Sequence, residues 1–255
     1  MPQTFHLNKG FNLPLAGRAL LEEHKVNQPD SFAIKPSDFK GLVQPKLLVS
    51  VGENVKAGSP LFYDKGSEDV LFVSPVSGEI SEIIRGDRRK IIEIRILADK
   101  KIEYKAFKKY TKAEINNVSR AEATLALTTS GIWPSFIQRP FGVVANPSDE
   151  PSAIYISAFD SNPCAPDMAF LLRGKEGVFQ LGIDVLNRVV QGKIHLNLDA
   201  SEIPSIFSGT EHVKINKFSG PHPAGNVGIQ IHHIKPLGKK DKVWTIDPLS
   251  VARIG

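Results

Sequence analysis

The chain has 255 residues, enough for about two domains of ordinary size, and its 41% hydrophobic and 23% charged content suits a folded, soluble protein. No apolar run approaches the ~20 residues of a spanning helix, and the N-terminus lacks a signal peptide's apolar core. One cysteine, Cys164, excludes an internal disulfide and cysteine-cluster metal sites, so the reading is cytoplasmic. The net charge is +5, and Arg85 to Lys109 alone holds ten Lys/Arg against four Asp/Glu. That block suits an acidic partner, an anionic membrane surface or a solvated strand face, whereas no nucleic-acid signature surrounds it.

In chain order, residues 1–40 mix short apolar pieces with turns. Pro14, between Gly10 and Gly17, rules out a regular helix there. Val49 to Ile80 carries two glycine-marked turns around short bulky runs (Leu61, Phe62, Val70 to Val73), too short for helices. Gly86-Asp87 then turns the chain into another alternating strand, Arg88 to Leu97. Short strands in two interlocked copies predict a small sandwich. The pattern resembles a biotinyl/lipoyl-type hammerhead, with Lys65 near the hairpin tip as a remote carrier candidate or an ordinary exposed lysine.

Lys100 to Lys112 reads as a basic linker. Thr111-x-x-Glu114 and Ser119-x-x-Glu122 are capping boxes, the second opening a helix that Gly131 ends. Ala153 to Phe159 reads as a buried parallel strand, and Met168 to Leu172 as a helix. Phe179, Ile183, Leu186 and Val190 recur at helical spacing, closed by Gly192. Lys193 to Leu198 and Val213 to Phe218 read as strands, as does Ile229 to Ile234. Strand, helices, strand, strand predicts an α/β layer. The fold class is therefore mixed α+β, with a barrel-sandwich unit over 1–100 and a Rossmann-like unit over 101–255.

Neither common glycine-rich nucleotide cradle occurs, and Gly131-Ile132-Trp133 is a poor substitute. His232 and His233, adjacent on a strand, would face opposite sides and could not chelate one ion. No catalytic nucleophile or metal set stands out. His222, in a loop with two prolines and two glycines, is the most constrained histidine: an aimed imidazole or an idle turn residue. Trp133, Phe136, Arg139 and Phe141 offer an aromatic, arginine-bearing segment on which a flat conjugated ligand could stack; the alternative is a loop plugging a domain interface.

Lys9-Gly10 with Leu13 to Gly17, VGENVKAGSPLFYDK, SPVSGEI, RGDRRKIIEI, SGIWPSFIQRPFG, SAFDSNPCAPD and FSGPHPAGNVGIQIHHI together resemble the NqrA family, a component of the bacterial sodium-translocating NADH:quinone oxidoreductases. The resemblance covers essentially the whole chain. Family members continue well beyond Gly255, so the sequence reads as an N-terminal region. It implies a peripheral component on the cytoplasmic face of the inner membrane, partnered by the other subunits and ubiquinone. Flavins, an iron–sulfur centre and NADH would sit on those other subunits.

The resemblance also implies kinship with the flavin-carrying subunit of complex I. Ser130 to Pro134 replaces the glycine-rich flavin loop, and bulky Ile132 and Trp133 are expected to fill the flavin's space. The expected function is that of an accessory subunit without its own redox centre. Its candidate quinone-headgroup residues are Trp133, Phe136, Arg139, Phe141 and His222. The alternatives are a pure scaffold and a flavin- or NADH-binding subunit.

Overall fold

The computed structural model describes residues 2–17, 19–201 and 203–255. It opens with a short strand, β1 (Gln3–His6), that does not join the sandwich following it in sequence. The sandwich comprises β2 (Ser31–Ile34), β3 (Pro45–Leu47), β4 (Asn54–Val55), β5 (Pro60–Asp64), β6 (Ser67–Val73), β7 (Gly78–Arg85) and β8 (Ile91–Ala98). Four strands in the order β2-β8-β7-β4 face three in the order β3-β5-β6. Alternation decides the faces: Leu61, Phe62, Val70, Phe72, Ile80, Ile94 and Ile96 are all buried. Phe62 lies opposite Phe72 across the β5–β6 hairpin, and their rings stack 4.7 Å apart. Lys65 is exposed at that hairpin's two-residue tip. Arg88 and Arg89 adopt left-handed φ in a one-turn 3-10 segment, so β8 begins only at Ile91.

The second unit contains α1 (Lys112–Ile115), α2 (Arg120–Thr129), β9 (Ile137–Arg139), β10 (Val143–Val144), β11 (Ala153–Ser157), α3 (Met168–Leu172) and α4 (Glu176–Val189). It continues with β12 (Lys193–Asp199), α5 (Ser205–Ser208), β13 (Lys214–Ser219), α6 (Val227–Ile234), β14 (Val243–Ile246) and α7 (Pro248–Ile254). Both capping boxes close reciprocally: Thr111 and Ser119 accept the backbone N–H of Glu114 and Glu122, whose carboxylates reach back. Leu127 is buried, whereas Leu125 is exposed. Phe179, Ile183 and Leu186 put one fully buried stripe of α4 on the sheet. That helix stops at Val189, before Gly192.

The sheet order is β1-β13-β12-β11-β14-β9-β10, with β1, β13, β12, β11 and β14 parallel and β9 and β10 antiparallel at one edge. From β11 the chain moves outward through β12 and β13, then returns to place β14 on β11's other side. That reversal is a Rossmann switch point. The core is continuous with the sandwich. A Cβ on Gly131, which ends α2 at φ +81°, would lie 2.3 Å from a methyl of Val73 on β6.

One expected strand is a helix. Ile229, Ile231 and the residues between alternate as a strand would, but Val227, Ile231 and Ile234 also recur at i, i+4 and i+7. The helical period prevails because Ile231, Val227 and Ile234 pack on Tyr155 and Val243 of the sheet. His232 and His233 are therefore consecutive helical residues, both exposed, with rings 5.7 Å apart. No helix among the described residues is long and apolar enough to cross a membrane.

Candidate functional site: the crevice at the sheet's carboxyl edge

In an open parallel sheet, ligands bind outside the carboxyl ends of the strands at the switch point, because the connections diverge there and leave a gap. Here that gap lies between β11 and β14. A cleft of about 320 Å³ opens between the chain leaving β11 (Ser157 to Asn162), Asn226, and Asp247 after β14. It adjoins a second cleft of about 630 Å³ lined by Phe11, Asn12, Phe159, Ser161 and His222. Both clefts share Phe159, Asp160 and Asn162.

Three segments far apart in sequence build this crevice. Asp160 Oδ1 accepts from the backbone N–H of Asn162 at 2.8 Å, turning the chain just after β11. Ser161 Oγ accepts from the backbone N–H of Gly225 at 2.8 Å and sits 3.1 Å from His222 Nδ1. Only glycine fits at 225, since a Cβ would lie 2.2 Å from the Ser161 nitrogen. The N-terminal segment crosses over this loop. Phe11 N–H donates to the His222 carbonyl at 2.9 Å, and His222 N–H donates to Asn12 Oδ1 at 2.9 Å. The main chain of His222 is thus clamped on both sides, and Ser161 holds one ring nitrogen. An imidazole so fixed can offer its second nitrogen to an acceptor such as a carbonyl oxygen.

The five residues singled out in the sequence do not gather. Trp133 and Phe136 are fully buried, with rings 4.8 Å apart and each edge-on to Trp244; the Trp133 indole N–H donates to the Ala145 carbonyl at 2.8 Å. They form core between the two units. Because β9 runs antiparallel to β14, Ile137 pairs with Thr245 and Arg139 with Val243. Arg139 therefore lies about 7 Å farther from the carboxyl edge than Ile137. Its Nε is buried without a partner among the described residues, and Phe141 is 76% exposed. Only His222 stands in the crevice.

Asp160, Ser161, Phe11 and Asn12 were not singled out from sequence. The polar run after an apolar strand was a usable signal for the first two, by the strand-end rule. Nothing local announces that residues 11–12 return to position 222.

Residues 5–99 match the model of the NqrA N-terminal barrel-sandwich hybrid domain, and residues 118–255 match the NqrA second alpha/beta domain. The chain belongs to the NqrA family. Among curated relatives, the A subunit of the Na(+)-translocating NADH-quinone reductase of Yersinia pseudotuberculosis (serotype O:1b, strain IP 31758) is 36% identical over 251 residues, covering 98% of this chain and 55% of that protein. The proteins of the same name from Marinomonas sp. (strain MWYL1) and Neisseria meningitidis (strain MC58) are each 34% identical, with the same coverage. The chain spans about half the length of the curated relatives it matches.

The Ser130–Pro134 loop does not fit a flavin on its core side. Trp133 fills that space, and Gly131 is pressed against Val73. On its outer side, Ser130 to Ile132 border a cleft of about 740 Å³ between helices α1, α2, α4 and α7.

Proposed function

We propose that this chain serves as a peripheral subunit of a sodium-translocating NADH:quinone reductase, docked on its membrane partners at the cytoplasmic face. In this reading it carries no redox centre and takes part in quinone reduction by contacting the headgroup in the carboxyl-edge crevice. One observation carries the proposal. His222, clamped through its main chain and by Ser161, faces a 630 Å³ cleft with the aromatic rings of Phe11 and Phe159. The free imidazole nitrogen would donate to a quinone carbonyl, and an aromatic face would stack on the ring. Arg139, at the end of β9 away from the crevice, and Phe141 just beyond it would then serve partner contact, and Trp133 and Phe136 would hold the two units together.

Calorimetric titration with a short-chain, soluble ubiquinone tests this. The wild-type chain should bind saturably. His222→Ala should weaken binding about tenfold, the loss of roughly one hydrogen bond, while Arg139→Ala should not. Equal affinity of wild type and His222→Ala would overturn the headgroup assignment.

A second reading, a flavin- or dinucleotide-binding subunit, is favoured by the outer cleft, where Lys108, Arg188 and Arg253 surround an apolar floor and Arg188 Nε lacks a partner among the described residues. A flavin absorption band in the purified protein would favour it.

A further inference from the structure

The face of the sheet beneath α6 is polar where the opposite face is apolar. Along β12 and β13 the inward alternation gives Ile194, Leu196 and Leu198 to the α4 side, but His195, Asn197 and Asn216 to the α6 side, all buried. These side chains form one directed chain of hydrogen bonds. Its end is fixed by a backbone carbonyl, which can only accept: Gln230 Nε2 donates to Ala224 O at 3.3 Å. Gln230 Oε1 is therefore the acceptor for Asn197 Nδ2 at 2.9 Å. Asn197 Oδ1 then accepts from Asn216 Nδ2 at 2.8 Å, and Asn216 Nδ2 also lies 3.2 Å from His195 Nδ1. An amide nitrogen cannot accept, so His195 Nδ1 is the acceptor and the ring proton sits on Nε2.

That ring forms part of the floor of a pocket of about 600 Å³ at the amino end of the strands, away from the crevice. Tyr155 stacks on it with centroids 4.5 Å apart and lines the same pocket. Lys193, Lys214 and Lys235 stand around it, and the lining contains no carboxylate. None of the three lysines takes part in an ion pair among the described residues; Lys214 Nζ donates only to the neutral Gln3 Oε1, at 2.9 Å. Burial, with the nearby charges of Lys214 and Lys193, lowers the His195 pKa to about 4, in keeping with a neutral imidazole. A pocket furnished with three ammonium groups and donors, and no carboxylate, is complementary to negative charge.

We propose that this pocket is a binding site for a small, multiply charged oxyanion, a phosphate ester or a polycarboxylate, held by Lys193, Lys214 and Lys235 with His195 Nε2–H as the donor at its floor. The site is independent of the crevice and of any quinone contact. Calorimetry with sodium pyrophosphate and, separately, citrate tests it at pH 7. Wild type should bind at least one of them, less tightly as salt is raised. The tighter of the two identifies the head group as phosphate or carboxylate. Lys193→Gln/Lys214→Gln/Lys235→Gln should weaken binding at least about tenfold. Lys100→Gln/Lys101→Gln/Lys105→Gln, in the basic segment elsewhere, should leave it unchanged. The ¹⁵N resonance of His195 Nε2 should move on titration. No binding of either anion by wild type, equal loss in both triple variants, or an unmoved His195 resonance would overturn the assignment.

Discussion

The two ends of the parallel sheet each present a histidine, and they are held by opposite means. At the carboxyl end, the Phe11 N–H and the Asn12 side-chain oxygen fix the main chain of His222, and a second side chain, Ser161, touches its ring. At the amino end, His195 is locked into the strand and its proton is placed by a side-chain relay through Asn216, Asn197 and Gln230. A main-chain clamp fixes where an imidazole stands; an amide relay fixes which nitrogen carries the proton. The first should tolerate loss of the Ser161 side chain, since the Phe11 and Asn12 contacts to the His222 main chain remain. The second should not tolerate loss of an amide, because Asn216, Asn197 and Gln230 each hold the next in place, and Asn216 Oδ1 is already buried without a partner among the described residues.

That contrast can be broken at graded points. Asn216→Leu removes the centre of the relay and leaves Asn197 Oδ1 and His195 Nδ1 buried without donors, so it should cost about 4 kcal/mol in urea unfolding. Acid should act through the same ring. The folded pKa of His195 is about 4 against an ordinary 6.5, so the unfolded chain binds the extra proton between those values, and stability falls as pH falls through that window. The loss should approach about 3 kcal/mol by pH 4 and should shrink in His195→Gln, read from urea midpoints across pH.

At the other end, Gly225→Ala must push the two crevice loops apart, since the new Cβ meets the main chain of Ser161 and Asp160. It should cost about 2 kcal/mol and widen the crevice, detectable as faster amide exchange at Ser161. Ser161→Ala should cost about 1 kcal/mol or less and leave the His222 backbone in place, because the Phe11 and Asn12 contacts remain. A larger loss in Ser161→Ala than in Asn216→Leu would reverse the comparison.

Much of this fold is legible in short windows of sequence. The capping boxes span four residues, the α4 stripe from Phe179 to Leu186 eight, and the β5–β6 hairpin announces itself by bulky runs around Lys65-Gly66. What the windows hide is set by distant partners. Residues 3–6 have no strand signature of their own, yet they pair with Asn216 to Ser219. The Val227–Ile234 segment carries both a strand and a helix period, and only its packing on Tyr155 and Val243 decides between them.

The site divides in the same way. Prolines and glycines around His222 mark a constrained loop in sequence, and the structure places that loop at the crevice. The aromatic run from Trp133 to Phe141 looks like a surface platform, but Trp133 and Phe136 are drawn inside by Trp244, more than a hundred residues away. The relay beneath α6 was invisible, because Asn197, Asn216 and Gln230 lie far apart in sequence and become partners only once β12, β13 and α6 are assembled.

The most direct measurement is a titration of histidine-¹⁵N-labelled protein with short-chain ubiquinone, following both ring nitrogens of His222 and His195 at pH 7. The His222 resonances should shift saturably while those of His195 stay where they are. A shift confined to His195, or none at either histidine, would contradict the assignment of the carboxyl-edge crevice to the quinone.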